Sequence, residues 1–551
     1  MRTANEDDKL SVAGIVIGVV GCVIITASSV YTALKMGALP WPTIFTSITA
    51  LVLLRAFGRT NLNEANVTQI IMSAGSMVAG GLAFTIPGIW MLGLADEVSW
   101  VEMLFVALSG TLLGLVATAL IRRKLVEESN LEYPIGVAAA QTLKASKAGG
   151  ATGRRLFGSM AIAGVWSVAR DVLGIIPAML FALPIPGVSF GLYNSPMLLS
   201  VGFLVGGAAM AFWFGGALFA NVGLIMGGTA AGLWDVTTAQ GIVSSLGMGL
   251  MMGSGLGVVI RDLAPQALAL VTSRDKGNKA ASTKAPSHLS RTDAGLLGLM
   301  VAAAALLVCF GLGLGVLPSM VIVALSFVTA IMSAQSVGQT GIDPMEIFGL
   351  IVLLAIAALG ESSQVKLFYV AGIVAVACGL GGDVMSDFKT GQLLGSNPRQ
   401  MWIGQTVGAL IGAVVSVVVL VSLVGAYGTS AFGPGQTFVS AQASVVATMV
   451  SGIPSVPSFV IGLVAGIALY CLGLPAMMIG LGVYLPFYMS LSAPLGALAK
   501  LAYDHFAGAD KANAELSHDD TGIIVASGLL GGESIVGVIT ALVTVAMGLM
   551  G

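Results

Sequence analysis

Long apolar runs separated by short polar connectors recur along the whole chain, and most are too long for buried strands or amphipathic surface helices. A helix that crosses a bilayer needs about 20 mostly apolar residues. Runs of this kind begin near Ser11, Ala38, Val67, Val101, Leu156, Met197, Asn221 and Gly241. They resume near Ala294, Ser319, Pro344, Leu367, Trp402, Pro457, Pro475 and Thr521. Several are short or interrupted by Gly and Pro, so the pattern predicts an all-α polytopic membrane protein with about 14–16 transmembrane segments, some broken or re-entrant. The run after Lys9 continues to about Leu34, well beyond the ~7–15-residue core of a signal peptide, and is expected to remain as the first span.

The connectors carry the orientation, because basic loops stay cytoplasmic. Arg2, Lys9, Arg55, Arg59, the Arg122-Arg123-Lys124 triplet, Arg154-Arg155, the 261–293 connector and Arg399 fall on one side. The loops with Asp96-Glu97 and with Asp504 through Asp520 fall opposite and are mostly acidic. An even number of crossings then leaves both termini in the cytoplasm, with the chain multi-pass in the inner (plasma) membrane. The one long hydrophilic stretch, 261–293, divides an N-terminal transmembrane repeat, 1–260, from a C-terminal one, 294–551, as a cytoplasmic linker. The halves look alike: GLMMGSGLGVVI ending at Ile260 aligns with GLLGGESIVGVI ending at Ile539, and SVGFLVGG ending at Gly207 with FVIGLVAG ending at Gly466. Repeated halves with broken helices are a common way to build a midplane solute site.

Composition narrows the classes further. Only 9% of the 551 residues are charged, against about a quarter in a soluble domain, so most of the surface faces something other than water. A net charge of −2 gives no reason to expect nucleic acid as a partner, whereas membrane lipid is an obligate one. The four cysteines sit in apolar runs, the three histidines lie in connectors without zinc-ligand spacing, and no phosphate-binding G-x-x-x-x-G-K-[ST] run occurs. No cofactor and no resident metal are therefore expected. Small residues four apart, at Gly14/Gly18, Gly110/Gly114, Gly202/Gly206, Gly249/Gly253/Gly257 and Gly462/Gly466, read as helix-packing seams.

Ionisable and amide side chains inside the apolar runs are costly and mark candidate solute or proton sites. In NLNEANVTQ, Glu64 and Thr68 are four apart and Asn66 and Gln69 three apart; an interfacial cap beside Arg59 is the plainer alternative. EYPIGVAAAQTLKASKAGG carries Gln141 and Lys144 on a helix too short to span, either dipping into the membrane or lying on its surface. GQTGIDPMEIF breaks two apolar runs and holds Gln339, Asp343 and Glu346; Asp343 before Pro344 could equally be a helix cap. In GLGGDVMSDFKTGQLLG, Asp383 and Asp387 lie one helical turn apart, and Lys389 follows. Asp171 sits mid-run beside Arg170; adjacent helical residues diverge, so each is expected to need its own partner or water. Glu533 stands alone in the last apolar run, where a polar cavity is expected.

These clusters are also where the chain resembles the oligopeptide transporter (OPT) superfamily, which includes the yellow stripe-like metal-chelate carriers. NLNEANVTQIIMSAG with FTIPG, YPIGVAAAQTLKA, GGDVMSDFKTGQLLGSNPR, the PAMMIGLGVYLPF run and ASGLLGGESIVGV carry the resemblance in order across nearly the whole chain. The short hydrophilic tails resemble the compact prokaryotic branch. The resemblance implies proton-coupled import of short peptides, glutathione-like compounds or metal chelates, through two related halves, by a chain that is not an enzyme.

Alternating access around a midplane cavity is then the expected mechanism. Asn66, Gln69, Gln141, Lys144, Gln339 and Lys389 are the candidates for binding substrate. Glu64, Asp343, Asp383, Asp387, Glu533 and Asp171 are the candidates for carrying the coupling proton. A transported metal would arrive already coordinated. An amino-acid permease-like carrier, a passive channel and an intramembrane aspartyl protease are the competing classes, the last resting on Tyr503-Asp504, placed in an outer loop, and Asp383. A homo-oligomer is left open.

Overall fold

The computed structural model describes residues 11–36, 42–129, 131, 133–145, 150–258, 260–261, 291–340, 343–451, 454–507 and 518–550. Its first half runs α1 Val12–Met36, α2 Pro42–Ala56, α3 Leu62–Ala83, α4 Pro87–Met91, α5 Trp100–Arg122, α6 Pro134–Ala145 and α7 Gly150–Ser167. A hairpin, β1 Met179–Ile185 and β2 Val188–Tyr193, follows, then α8 Pro196–Val205, α9 Gly207–Leu218, α10 Gly228–Ala230 and α11 Val236–Val258. The second half comprises α12 Arg291–Leu306, α13 Val316–Thr340, α14 Met345–Ala358, α15 Gln364–Cys378, α16 Val384–Leu394 and α17 Pro398–Tyr427. It ends with α18 Ala441–Ser451, α19 Val456–Cys471, α20 Ala476–Tyr484, α21 Phe487–Ala507 and α22 His518–Met550. Among the described residues eight helices are long and apolar enough to cross a membrane, with shorter apolar helices between them. The chain is an all-α polytopic membrane protein.

Local chemistry sets the helix starts. The Asn61 side chain accepts from the Asn63 N–H at 2.8 Å to open α3, Ser99 and Glu102 form a capping box on α5, and Asn397 caps α17 ahead of Pro398. The hairpin departs from the expected all-helical run. An antiparallel register pairing Ile185 with Val188 closes on Pro186-Gly187, and Gly187 takes φ +76°, where a Cβ would be strained. Its sequence, MLFALPI, is apolar enough to read as helix, and only the Pro-Gly turn marks the reversal.

Two segments form the centre. The most apolar stretch of Leu62–Met91 is entirely buried by other helices and that of Gln364–Leu394 is 94% buried, whereas that of Ala294–Gly311 is only 22% buried and faces outward. The second central segment is not one regular helix. A π turn at Gly379–Asp383 joins α15 to α16 and resets which side chains point inward. Helices α1, α2 and α17 pack around α3, and α5 packs on α15.

The glycine seams close these contacts. Gly249 and Gly253 of α11 face Gly462 and Gly466 of α19, and a methyl on Gly253 would meet the Gly466 Cα at 3.0 Å. Gly75 of α3 lies against Gly412 of α17, and Gly528 and Gly532 of α22 against Ser159 and Met160 of α7. One expected seam member does otherwise: Gly206 has φ +85° and ends α8, so it breaks the helix instead of packing it. Gly253→Val is accordingly expected to cost about 1–3 kcal/mol through forced separation of α11 and α19. A lowered thermal unfolding midpoint in detergent would report it. Gly215→Val, where nothing lies within 4 Å of the new methyl, serves as the neutral control.

Candidate functional site

The two central segments meet through one polar contact. Gln69 Nε2 donates to Asp387 Oδ1 at 2.7 Å, and the Ser73 hydroxyl donates to Asp387 Oδ2. Gln69 and Ser73 are one turn apart on α3, so both reach the same carboxylate, and all three residues are fully buried. One turn earlier Asn66 Nδ2 donates to Ser396 Oγ at 3.4 Å, while Asn66 Oδ1 and Gln69 Oε1 are buried with no hydrogen-bond donor. Asp387 is thus held from α3, and Lys389, two residues on, makes no ion pair with it.

More carboxylates surround this contact. Asp383, at the end of the π turn, lies close enough to feel the charge of Asp343, Asp387 and Glu346. Asp343 does not cap α14: the cap position is Pro344, and both Asp343 carboxylate oxygens are buried without a hydrogen bond, near the Ser333 hydroxyl. Glu346 is buried in the first turn of α14. Neither Glu346 nor Asp383 forms an ion pair among the described residues, and Lys389, half-buried on α16, forms none either. Further orphaned polar atoms point to the same region. They include the Ser386 hydroxyl, the Tyr133 hydroxyl beside Gly338, and Gln405 Oε1, whose Nε2 donates to the Leu380 carbonyl at 2.9 Å. A buried polar atom is usually satisfied, so this concentration marks a place built to meet something else.

The short helix α6 flanks the cluster. The Thr390 hydroxyl donates to the Gly136 carbonyl at 2.9 Å, which ties α16 to α6. Gln141 and Lys144 lie on α6 and Gln339 near the end of α13, but their side chains are outside the described residues.

A second polar centre is separate and is built around one arginine shared by two carboxylates. Arg170 donates through Nε to Asp171 Oδ1 at 2.7 Å and through Nη2 to Asp171 Oδ2 at 2.6 Å and Glu533 Oε1 at 2.8 Å. The expectation that Arg170 and Asp171 diverge is overturned, because they sit in a π turn, Val168–Val172, and the long guanidinium folds back onto its neighbour. Glu533 is not alone in a cavity. It also accepts from the Ser195 hydroxyl at 2.9 Å and from the Met197 backbone N–H at 2.9 Å, at the N-terminus of α8. Glu64 is likewise engaged: Arg59 Nε donates to it at 2.8 Å and the Ser11 backbone N–H at 3.3 Å, which fastens the start of α1 to α3.

Ser73, Tyr133, Ser386 and Gln405 were missed from sequence. Serine and tyrosine are ordinary in membrane helices, but Gln405, an amide within the apolar part of a 30-residue helix, is a readable signal. Among the described residues no three His, Cys, Asp or Glu side chains are arranged to hold a metal ion. Tyr503 and Asp504 lie in the last turn of α21 and not in a loop, with the tyrosine ring against Phe203, 6.0 Å between centroids.

Comparison with known proteins places this architecture. Residues 9–544 match the family model described as OPT oligopeptide transporter protein. A putative oligopeptide transporter of Haemophilus influenzae is 25% identical over 596 aligned residues, covering 94% of this chain and 92% of the relative. Shorter matches reach plant proteins. The metal-nicotianamine transporter YSL2 of Arabidopsis thaliana is 36% identical over 93 residues, 15% of this chain and 13% of that one. The probable metal-nicotianamine transporter YSL9 of Oryza sativa subsp. japonica is 39% identical over 92 residues, again 15% and 13%. With a family match spanning nearly its whole length, the chain belongs to the OPT family of membrane transporters and is not an enzyme.

Proposed function

We propose that this transporter imports peptide-like or metal-chelate solutes, coupled to protons, by alternating access in the inner (plasma) membrane with both termini cytoplasmic. The observation that carries the reading is the cluster of Asp343, Glu346, Asp383 and Asp387 where the two buried central segments meet. Clustered carboxylates out of water suit the uptake and release of a proton, and their neighbours Asn66, Gln69 and Gln405 offer unused acceptors to a solute amine or amide. Gln141, Lys144, Gln339 and Lys389 stand on the flanking elements that would supply the remaining polar contacts. The names of the relatives support the solute class, since one is called an oligopeptide and others metal-nicotianamine transporters.

Coupling in this reading runs through the four-carboxylate cluster. Glu533 and Asp171 instead hold Arg170, and Glu64 holds α1 in place. The division into 1–260 and 294–551 around a 261–293 linker is supported by reciprocal packing. If α11 corresponds to α22 and α8 to α19, as their sequences align, then the α11–α19 contact is mirrored by the α8–α22 contact.

Uptake of labelled trialanine and nickel–nicotianamine into proteoliposomes tests the proposal. An inside-alkaline pH gradient is expected to drive accumulation of at least one of them, and accumulation indifferent to the gradient would reject the coupling. Asp383→Asn is expected to lower gradient-driven accumulation about tenfold or more, the loss that removal of a proton-transfer group commonly brings. Glu533→Gln should behave differently. It removes one of the two carboxylates that hold Arg170 and weakens the acceptor of Ser195 and of the Met197 N–H, and is expected to destabilise by about 1–3 kcal/mol, read as a lowered unfolding midpoint, while uptake by the folded fraction keeps its pH response.

A further inference from the structure

The end of α1 presents a cation that the transport cluster does not use. Lys35, in the last turn of α1, holds its ammonium 5.9 Å from the ring centre of Tyr31, 5.8 Å from that of Tyr193 and 5.9 Å from that of Phe438. These rings come from α1 itself, from the hairpin strand β2 and from the loop before α18. The cage is fixed in shape. Tyr31 meets Phe438 edge-on at 5.6 Å, Tyr427 meets it edge-on at 5.2 Å, Tyr193 packs on Tyr488 at 5.6 Å, and the Ser440 N–H donates to the Leu34 carbonyl at 2.8 Å. Lys35 forms no ion pair among the described residues and is only half-buried.

The Tyr193 ring also adjoins the complementary charge. Arg170 stacks 5.2 Å from the Tyr193 ring centre but is neutralised twice over, by Asp171 and by Glu533. One negative charge is therefore in surplus, and Asp171 is its more open bearer, with 34% of its side chain exposed against 2% for Glu533. The charge of Lys35 reaches Asp171, yet the two make no ion pair. A cation and a surplus carboxylate kept apart around tyrosine rings match a zwitterion and suit a simple anion poorly.

We propose that Lys35, with Tyr31, Tyr193 and Asp171, forms a recognition subsite for the zwitterionic end of a peptide-like solute, with Lys35 taking the carboxylate. In the orientation proposed above this end of α1 lies on the non-cytoplasmic side, where an imported solute first arrives. The inference rests on the transport reading above, and on the solute bearing a free carboxylate.

Calorimetric binding to the purified full-length protein tests it with three probes: trialanine, trialanine amide and nickel–nicotianamine. Wild type is expected to bind trialanine about tenfold or more tighter than its amide, the margin of one charge-assisted contact. In Lys35→Met this ratio should fall to about one, and nickel–nicotianamine should weaken by a similar factor. Lys35→Arg should keep both. Because the ratio is internal to each variant, partial misfolding does not mimic it. An unchanged acid-to-amide ratio and unchanged chelate binding in Lys35→Met would overturn the subsite and leave the transport reading standing. Failure of wild type to bind any of the three probes would reject the transport reading and the subsite with it.

Discussion

The contact that the architecture turns on is the carboxylate of Asp387 held by Gln69 and Ser73. It joins two segments that the surrounding helices bury and whose paired residues are 314 or more apart in sequence. A carboxylate placed there without donors would be strongly destabilising. The two donors from α3 make it tolerable, but they do not satisfy the region. Gln69 Oε1, Asn66 Oδ1 and both Asp343 oxygens stay without partners. A packed helical protein with such a centre is stable only if the surrounding helices fit closely, and the glycine seams at Gly75–Gly412 and Gly253–Gly466 provide that fit.

The molecule uses two opposite solutions for buried charge. Around Arg170 both carboxylates bond the one guanidinium, and Glu533 also accepts from the backbone at the start of α8; such a network fixes position. Around Asp383 several carboxylates share one region with no cation bridging Asp383 or Glu346 among the described residues, and such a network is free to respond. The π turn at Gly379–Asp383 helps place this second network, since it sets the facing of the α-helical turn that carries Asp383 and Asp387 relative to the preceding helix.

Much of this was legible in the sequence. Membrane character, helical class, the short α6 and the glycine seams follow from run length and small-residue spacing. Asp383, Asp387, Gln69 and Asp343 stood out because polar groups in apolar runs are costly. What the sequence could not supply was pairing across hundreds of residues: Asp387 to Gln69, or Arg170 to Glu533. Local rules also misled. The divergence of adjacent helical residues fails in a π turn, and MLFALPI is apolar enough to hide a strand. Lys35 is not legible as a site in the sequence, because a lysine ending an apolar run reads as an interfacial anchor and its cage is assembled from rings some 160 and 400 residues away.

The central claim is that the region between α3 and α16 opens to each side of the membrane in turn. Maleimide labelling of a single cysteine at Ser386, in a chain whose four native cysteines are replaced, tests this most directly. A membrane-impermeant reagent should reach it from either side of a sealed vesicle when applied alone. A saturating solute on one side should shift labelling toward one face. Labelling from neither side, or equal labelling from both that no solute changes, would contradict the account.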